Sequence, residues 1–274
     1  MKALTLALNA KVYEHIVPSF KKIDSFLKEW NIGVSDQREL FLTIANILRE
    51  SRSSPKDSFK FLNKYLATFS VEDVAALSEA KGEAVKAIVE FVKVSDIFQC
   101  DLLDLPAVKQ LEADGEYTAV YQLLKIFLTQ RLDGYTEFQA ANSALLETHG
   151  INPEDCITKM RLMSLVDLGS DVSKIPYTAI KDALQIDFDE VEFWVVKAMS
   201  AKLLNCKLDQ MNEVVIVSRS TDRIFGSSQW EHLRTKLATW RANVSNVIST
   251  IQLNMAPPDS GAQSVPPSPA IRSN

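Results

Sequence analysis

The stretch that decides the fold runs from Tyr177 to Ile251. It comprises YTAIKDAL (Tyr177–Leu184), VEFWVVKAMSAKLL (Val191–Leu204), CKLD (Cys206–Asp209), EVVIVS (Glu213–Ser218) and QWEHLRTKLATWRANVSNVISTI (Gln229–Ile251). The first two segments read as short helices and the next two as strands of a hairpin. Two short helices cannot bury their apolar faces alone, and a hairpin folding back over them can, which is the order of a winged-helix module. Val191, Val195 and Ala198 share one stripe of the second helix. On the pleat, Val214 and Ile216 are expected to face the helices, leaving Val215 and Val217 outward. A strand apolar on both faces pairs with or packs against another chain, or lies under the chain's own last helix. Asp209 and Gln210 end the first strand, where they suit the backbone groups of a turn.

In the closing segment the apolar residues are Trp230, Leu233, Leu237, Trp240, Val244, Val247 and Ile251, an alternation of three and four. So narrow a seam is what one helix offers another in a coiled coil or bundle. Ser228 and Glu231 have the spacing of a capping box that would open it. At about 1.5 Å per residue the helix is roughly 35 Å long, so a winged helix covers only its first half. The second half, from Trp240 onward, either meets a partner or folds back on its own chain.

Outward from this core, the preceding two thirds read as helix after helix. Pro18 opens a segment with Ile23, Phe26, Leu27 and Trp30 on one face, stopped at Gly33. Ser35 caps a helix with Leu40, Phe41, Ile44, Ile47 and Leu48 in a stripe. Ser54 and Pro55 start one with Phe59, Leu62, Leu66 and Phe69 in line. A further helix begins at Ser70, breaks near Gly82 and resumes through Val85, Ile88, Val89 and Val92. After a shorter turn, Tyr117 to Leu128 carries another stripe, Phe138 to Leu145 a further one, and Asn152 with Pro153 caps a helix bearing Cys156, Met160 and Met163. Antiparallel helices on short loops, without a fixed period, imply a degenerate right-handed helical-repeat array. Gly169 to Lys174 is polar and without apolar periodicity, and the boundary is drawn there. The expected organisation is therefore an array over 1–168, a winged-helix subdomain over 169–226, a bundle helix over 227–253 and a disordered tail over 254–274. Half of the 10 prolines fall in that tail, among Ser, Gly and Gln. Ser268 before Pro269 fits proline-directed phosphorylation, but such dipeptides are common and the inert tail is the preferred reading. The helical pattern begins at once, with Leu4, Leu8 and Val12 and no cap before them, which fits a chain starting partway through a longer array and equally a frayed first helix.

Composition sets the class. A chain of 274 residues with 46% hydrophobic and 24% charged residues is globular in type, and a net charge of −5 gives no electrostatic reason for nucleic acid or anionic membrane as the main partner. Cys100, Cys156 and Cys206 lack metal or redox spacing and read as buried thiols in a reducing compartment. The apolar run Ala3–Leu8 is too short for a signal core or a membrane span, so the cytoplasm is the expected location. His15, His149 and His232 are far apart, and no phosphate-binding glycine loop or nucleophile elbow occurs. Asp187, Asp189, Glu190 and Glu192 cluster at a helix start, where acids complement the dipole. No catalytic residue, metal, cofactor or small-molecule substrate is expected.

A DNA-reading winged helix approaches the groove with the start of its second helix, and here that start is acidic. The module is therefore read as built for protein, with weak RNA contact through Arg219, Arg223 and Arg234 as the alternative.

DEVEFWVVKA (Asp189–Ala198), CKLDQ (Cys206–Gln210) and VVIVS (Val214–Ser218) resemble the PCI domain, shared by the proteasome lid, the signalosome and eukaryotic translation initiation factor three. RIFGSSQW (Arg223–Trp230) and KMRL (Lys159–Leu162) are similar to the initiation-factor branch, and the likeness extends from about Phe69 to Ile251, with the PCI region opening near residue 60. The resemblance implies a non-catalytic scaffold whose winged helix lies beside those of other PCI subunits while its last helix enters a bundle, acting on the small ribosomal subunit. It places Lys207, Asp209, Gln210, Val215 and Val217 at a wing interface and Trp240, Val244, Val247 and Ile251 in the bundle. An N-terminal portion of the family's array is missing from this sequence, as in a shorter isoform or an alternative start. A lid or signalosome scaffold shares the same fold.

Overall fold

The computed structural model describes residues 17–30, 32–50, 55–224 and 226–255. The stripe at Leu4, Leu8 and Val12, His15, the Ser54 cap and the tail from 256 lie outside them. The described chain forms two compact units that divide between Ile224 and Phe225. In the first, helices α1 (Ile23–Trp30), α2 (Val34–Glu50), α3 (Pro55–Leu66), α4 (Val74–Glu79), α5 (Lys81–Lys93), α6 (Pro106–Lys109), α7 (Thr118–Thr129), α8 (Leu132–Ala141), α9 (Ser143–Thr148) and α10 (Pro153–Asp171) succeed one another. Then come strand β1 (Lys174–Pro176), α11 (Tyr177–Leu184), α12 (Val191–Ser200), β2 (Leu204–Asp209) and β3 (Val214–Ser220). The protein is thus a mainly α array leading into a winged helix.

The expected stripes are the buried ones. Leu40, Phe41, Ile44, Ile47 and Leu48 of α2 are all core residues, as are Phe59, Leu62 and Leu66 of α3. Phe69 lies past the end of α3 but remains buried, its ring centroid 5.1 Å from that of Tyr65. The break expected near Gly82 falls at Ala80, between α4 and α5. A file of rings runs through this core: Phe59 to Phe91 at 6.1 Å, Phe91 to Phe127 at 6.4 Å and Phe127 to Tyr135 at 5.5 Å. It links α3, α5, α7 and α8, each tilted or edge-on pair adding about 0.5–1.5 kcal/mol to the area it buries.

α10 begins as expected: the Asn152 side chain accepts from the Glu154 N–H at 3.2 Å, and Pro153 opens the first turn. The body of the helix departs from expectation. Cys156, Met160 and Met163 enter the core of the array, whereas Leu162, Leu165 and Val166 enter a second core with Ile175, Ile180, Val191, Val195 and Val215. The helix therefore carries apolar residues on opposite sides, and the boundary drawn at 169 cuts through it. Gly169 is no linker residue either. A Cβ there would lie 2.8 Å from Leu204 Cδ2 and 3.5 Å from Val217 Cγ1, so its absence lets the sheet approach α10.

Lys159 sits on the array side of α10, 1% exposed, and donates from Nζ to the carbonyl oxygens of Phe91 and, at 2.8 Å, Val94. These lie at the C-terminal end of α5, where carbonyls have no partner within the helix. The ammonium also lies 4.2 Å from the centroid of the Phe91 ring. Carbonyls and ring favour the protonated form, but burial outweighs them and pulls Lys159 down to about 7. Two residues on, Arg161 faces the other way. Its Nε donates to Leu184 O and its Nη2 to Gln185 O, both at 3.0 Å, closing the end of α11 where Gln185 is left-handed (φ 51°).

Between pH 7 and the ordinary lysine value near 10.5 the unfolded chain holds a proton at Lys159 that the folded chain releases, so this residue makes stability rise with pH across that window. Chemical denaturation at pH 7 and pH 10 is expected to show that increment in the wild type and not in Lys159→Met. Gly169→Val is expected to cost about 1–3 kcal/mol through forced displacement of Leu204. Gly82→Ala, with nothing within 4 Å, should leave stability unchanged or raise it by less than about 1 kcal/mol in the same assay.

Candidate functional site

The winged helix is α10, β1, α11, α12 and a three-stranded antiparallel sheet of order β1-β3-β2. Within α12, Val191, Val195 and Ala198 are fully buried and Trp194 nearly so, as the stripe implied. The opposite side of α12 shows Phe193 at 61% and Val196 at 50% exposure. The acidic run before α12 forms a short 3-10 turn (Phe188–Glu190), and the Tyr177 hydroxyl donates to Glu192 Oε1 at 3.2 Å. Among the described residues no group of three or more His, Cys, Asp or Glu is placed to hold a metal ion. Cys100, Cys156 and Cys206 are buried, and burial pushes the Cys100 thiol up to about 12.

The orientation of β3 reverses the expected one. Val215 is fully buried in the second core and Val217 packs against it, while Val214 and Ile216 are the half-buried residues of the opposite face. Register fixes this: Val215 lies opposite Ile175 of β1 and Leu208 of β2, and Ile175 is itself in the core. Nor is β3 an edge. The Val217 N–H donates to Ser173 O at 2.8 Å and the Tyr177 N–H to Glu213 O at 2.9 Å, so its β1 side is occupied. Val215 is thus withdrawn from the wing interface, and β3 lies in the middle of the sheet with β1 and β2 at its edges.

Of the other predicted wing residues, Val217 shares the inner face with Val215 and packs against the second core. Lys207 and Gln210 are exposed and Asp209 is partly so. Lys207 and Asp209 lie opposite Ile216 and Val214, which gives the outer face of the sheet two cross-strand pairs. Asp209 also holds the turn, its Oδ1 accepting the Asn212 N–H at 3.2 Å and its Oδ2 the Asn212 side-chain amide at 2.9 Å. Met211 stands at the tip, 94% exposed. Sequence reasoning overlooked Phe193, Val196 and Met211, although their apolar character outside the buried stripe was the available signal.

The RNA reading loses a central residue. Arg223 is 7% exposed, its Nε donating to Met163 O at 3.0 Å and its Nη1 to Gln130 O at 2.5 Å. Burial pulls its guanidinium down to about 10, which leaves it charged at neutral pH and committed to the interior. Arg219 stays exposed on the sheet.

The second unit is α13 (Ser227–Met255). Gly226 precedes it: the Trp230 N–H donates to Gly226 O, and the Gly226 N–H donates to Gln229 Oε1, both at 3.1 Å. This reciprocal cap lies two residues before the expected one. The Ser228 side chain lies outside the described residues. Along the seam Leu237 is 52% exposed, Trp240 67%, Val244 43%, Val247 57% and Ile251 50%. Isolated apolar residues at a surface are ordinary, but a continuous row over several turns marks an interaction face.

With this geometry in place, the chain is set beside known proteins. The PCI domain matches residues 139–219, from within α8 to the end of β3, and the "eIF3 subunit M, C-terminal helix" family matches residues 223–251. Eukaryotic translation initiation factor 3 subunit M of Dictyostelium discoideum is 40% identical over 250 residues, covering 90% of this chain and 61% of that protein. The proteins of the same name from Phaeosphaeria nodorum and Nematostella vectensis are 30% and 28% identical, over 88% and 93% of this chain and 54% and 65% of their own lengths. The chain thus spans less than two thirds of these three relatives. In the described residues no helix is long and apolar enough to cross a membrane. The chain thus carries a winged helix inside a PCI match, succeeded by a helix matching that of subunit M, and over nine tenths of its length it is similar to subunit M of eukaryotic translation initiation factor 3.

Proposed function

We propose that the protein is a non-catalytic scaffold subunit of eukaryotic translation initiation factor 3, which joins other PCI subunits in the cytoplasm and supports initiation on the small ribosomal subunit. The observation that carries this reading is the exposed row on α13, which coincides with the match to the subunit M C-terminal helix. Apolar side chains repeated at three- and four-residue spacing lose water only when another helix lies along them, at about 25 cal/mol for each Å² covered. The same match favours the initiation factor over the proteasome lid or signalosome. In this reading Trp240, Val244, Val247 and Ile251 enter a helical bundle. The outer sheet face meets a neighbouring winged helix through Lys207, Asp209 and Gln210, joined by Val214, Ile216 and Met211. The array over 1–168, with the PCI region beginning near residue 60, supports the winged helix.

The test is tagged full-length protein purified from cells with its co-eluting chains identified. Initiation-factor subunits together with small-subunit ribosomal proteins are expected. Lid or signalosome subunits in their place would overturn the assignment. Val247→Asp combined with Ile251→Asp is expected to leave stability within about 0.5 kcal/mol of wild type, because both positions are exposed, and to abolish co-elution.

A further inference from the structure

The apolar row on α13 has asymmetric flanks. The helix contains one acid, Glu231, and three permanent cations, Arg234, Lys236 and Arg241. With Leu233 and Trp240 as d positions of a heptad and Leu237 and Val244 as a positions, Arg234 and Arg241 fall at e and Lys236 at g, the places that face the flanks of a partner helix. Glu231 falls at b, away from the contact. Among the described residues none of the three cations takes part in an ion pair, and all are exposed. This lies in a chain whose net charge is −5, so the cationic flank runs against the overall balance. Beyond Arg241 the helix has no charge at all, and Ile248 at the next e position widens the apolar row.

We infer that α13 selects, as its occupant, a helix of another subunit whose own heptad flanks carry Asp or Glu opposite Arg234, Lys236 and Arg241. This inference rests on the scaffold reading above and specifies the partner chemistry of the same surface. A second copy of the chain does not meet the requirement. Paired in parallel, Lys236 at g faces Arg241 at e of the other copy. Paired antiparallel over the whole helix, Arg241 at e faces Arg241 of the other copy, and no cation meets an acid. The uncharged half supplies apolar area that any helix could cover, and the charged half discriminates by attraction toward acidic flanks and repulsion of basic ones.

The experiment titrates the full-length protein, by fluorescence anisotropy, against three labelled synthetic helical peptides that share one apolar heptad seam and differ only in carrying Glu, Gln or Lys at e and g. At low salt the Glu peptide is expected to bind about tenfold tighter than the Gln peptide and the Lys peptide about tenfold weaker, three flank pairs together amounting to roughly that factor. Raising the ionic strength from about 0.05 M to about 0.5 M should collapse the spread, because these charges are exposed. Arg234→Glu, Lys236→Glu and Arg241→Glu together should invert the order. Equal binding of all three peptides at low salt would overturn the inference and leave the docking reading standing. Binding by none would overturn both. Self-association of the wild-type protein in the micromolar range, lost in Val247→Asp with Ile251→Asp, would likewise overturn it.

Discussion

A lysine and an arginine two residues apart on one helix hold the first unit together. At about 100° per residue, Lys159 and Arg161 leave α10 on opposite sides. Lys159 satisfies the terminal carbonyls of α5 in the array, and Arg161 satisfies those of α11 in the winged helix. The end of a helix buried without a donor is costly, since each unpaired buried carbonyl forfeits its hydration. Here one helix supplies the missing donors to neighbours on both sides, and Met160 and Leu162 interleave with these two side chains to fill the two cores. KMRL is thus a structural signature, each of its residues committed to a different neighbour.

Arg223 closes the same arrangement from the far end of the sheet. Its guanidinium bonds carbonyls of α10 and of the α7–α8 connection, tying the exit from β3 back to the array. With Ser220 donating to Val166 O at 2.8 Å, the departing strand is bound to α10 at two points. The first unit therefore ends on a fixed backbone, immediately before Gly226 and the start of α13. For the scaffold role proposed above this matters because a surface that must register with others needs little conformational freedom to lose on binding.

Much of this was legible in the amino-acid sequence, and the remainder was hidden for identifiable reasons. Helices with one apolar face announced themselves, as with α2 and α3, because a single stripe at 3.6-residue spacing has no other reading. α10 did not, because apolar residues on opposite sides cancel the asymmetry that marks an amphipathic helix, and only Cys156, Met160 and Met163 stood out. The facing of β3 was misread because Val214, Val215, Ile216 and Val217 offer no polar residue to set the alternation. What sets it is β1, a three-residue strand ending in a proline, too short to show any pattern of its own. Arg223 reads as a surface cation in the sequence because charge alone carries no information about burial when the acceptors are main-chain carbonyls distant in sequence. The seam of α13 was readable in full, since its spacing is local and needs no tertiary partner to be recognised.

The junction between α10 and β1 consists of Val172 and Ser173 alone, and the Ser173 carbonyl is already bonded to β3. Nothing there has the slack of a joint. A force applied to the wing tip at Met211 would travel through the sheet into α10 and across it to the array, so strain arriving at one side of that helix would be felt at the other. Such a body transmits position rather than absorbing it, because both cores are built on the two sides of one helix.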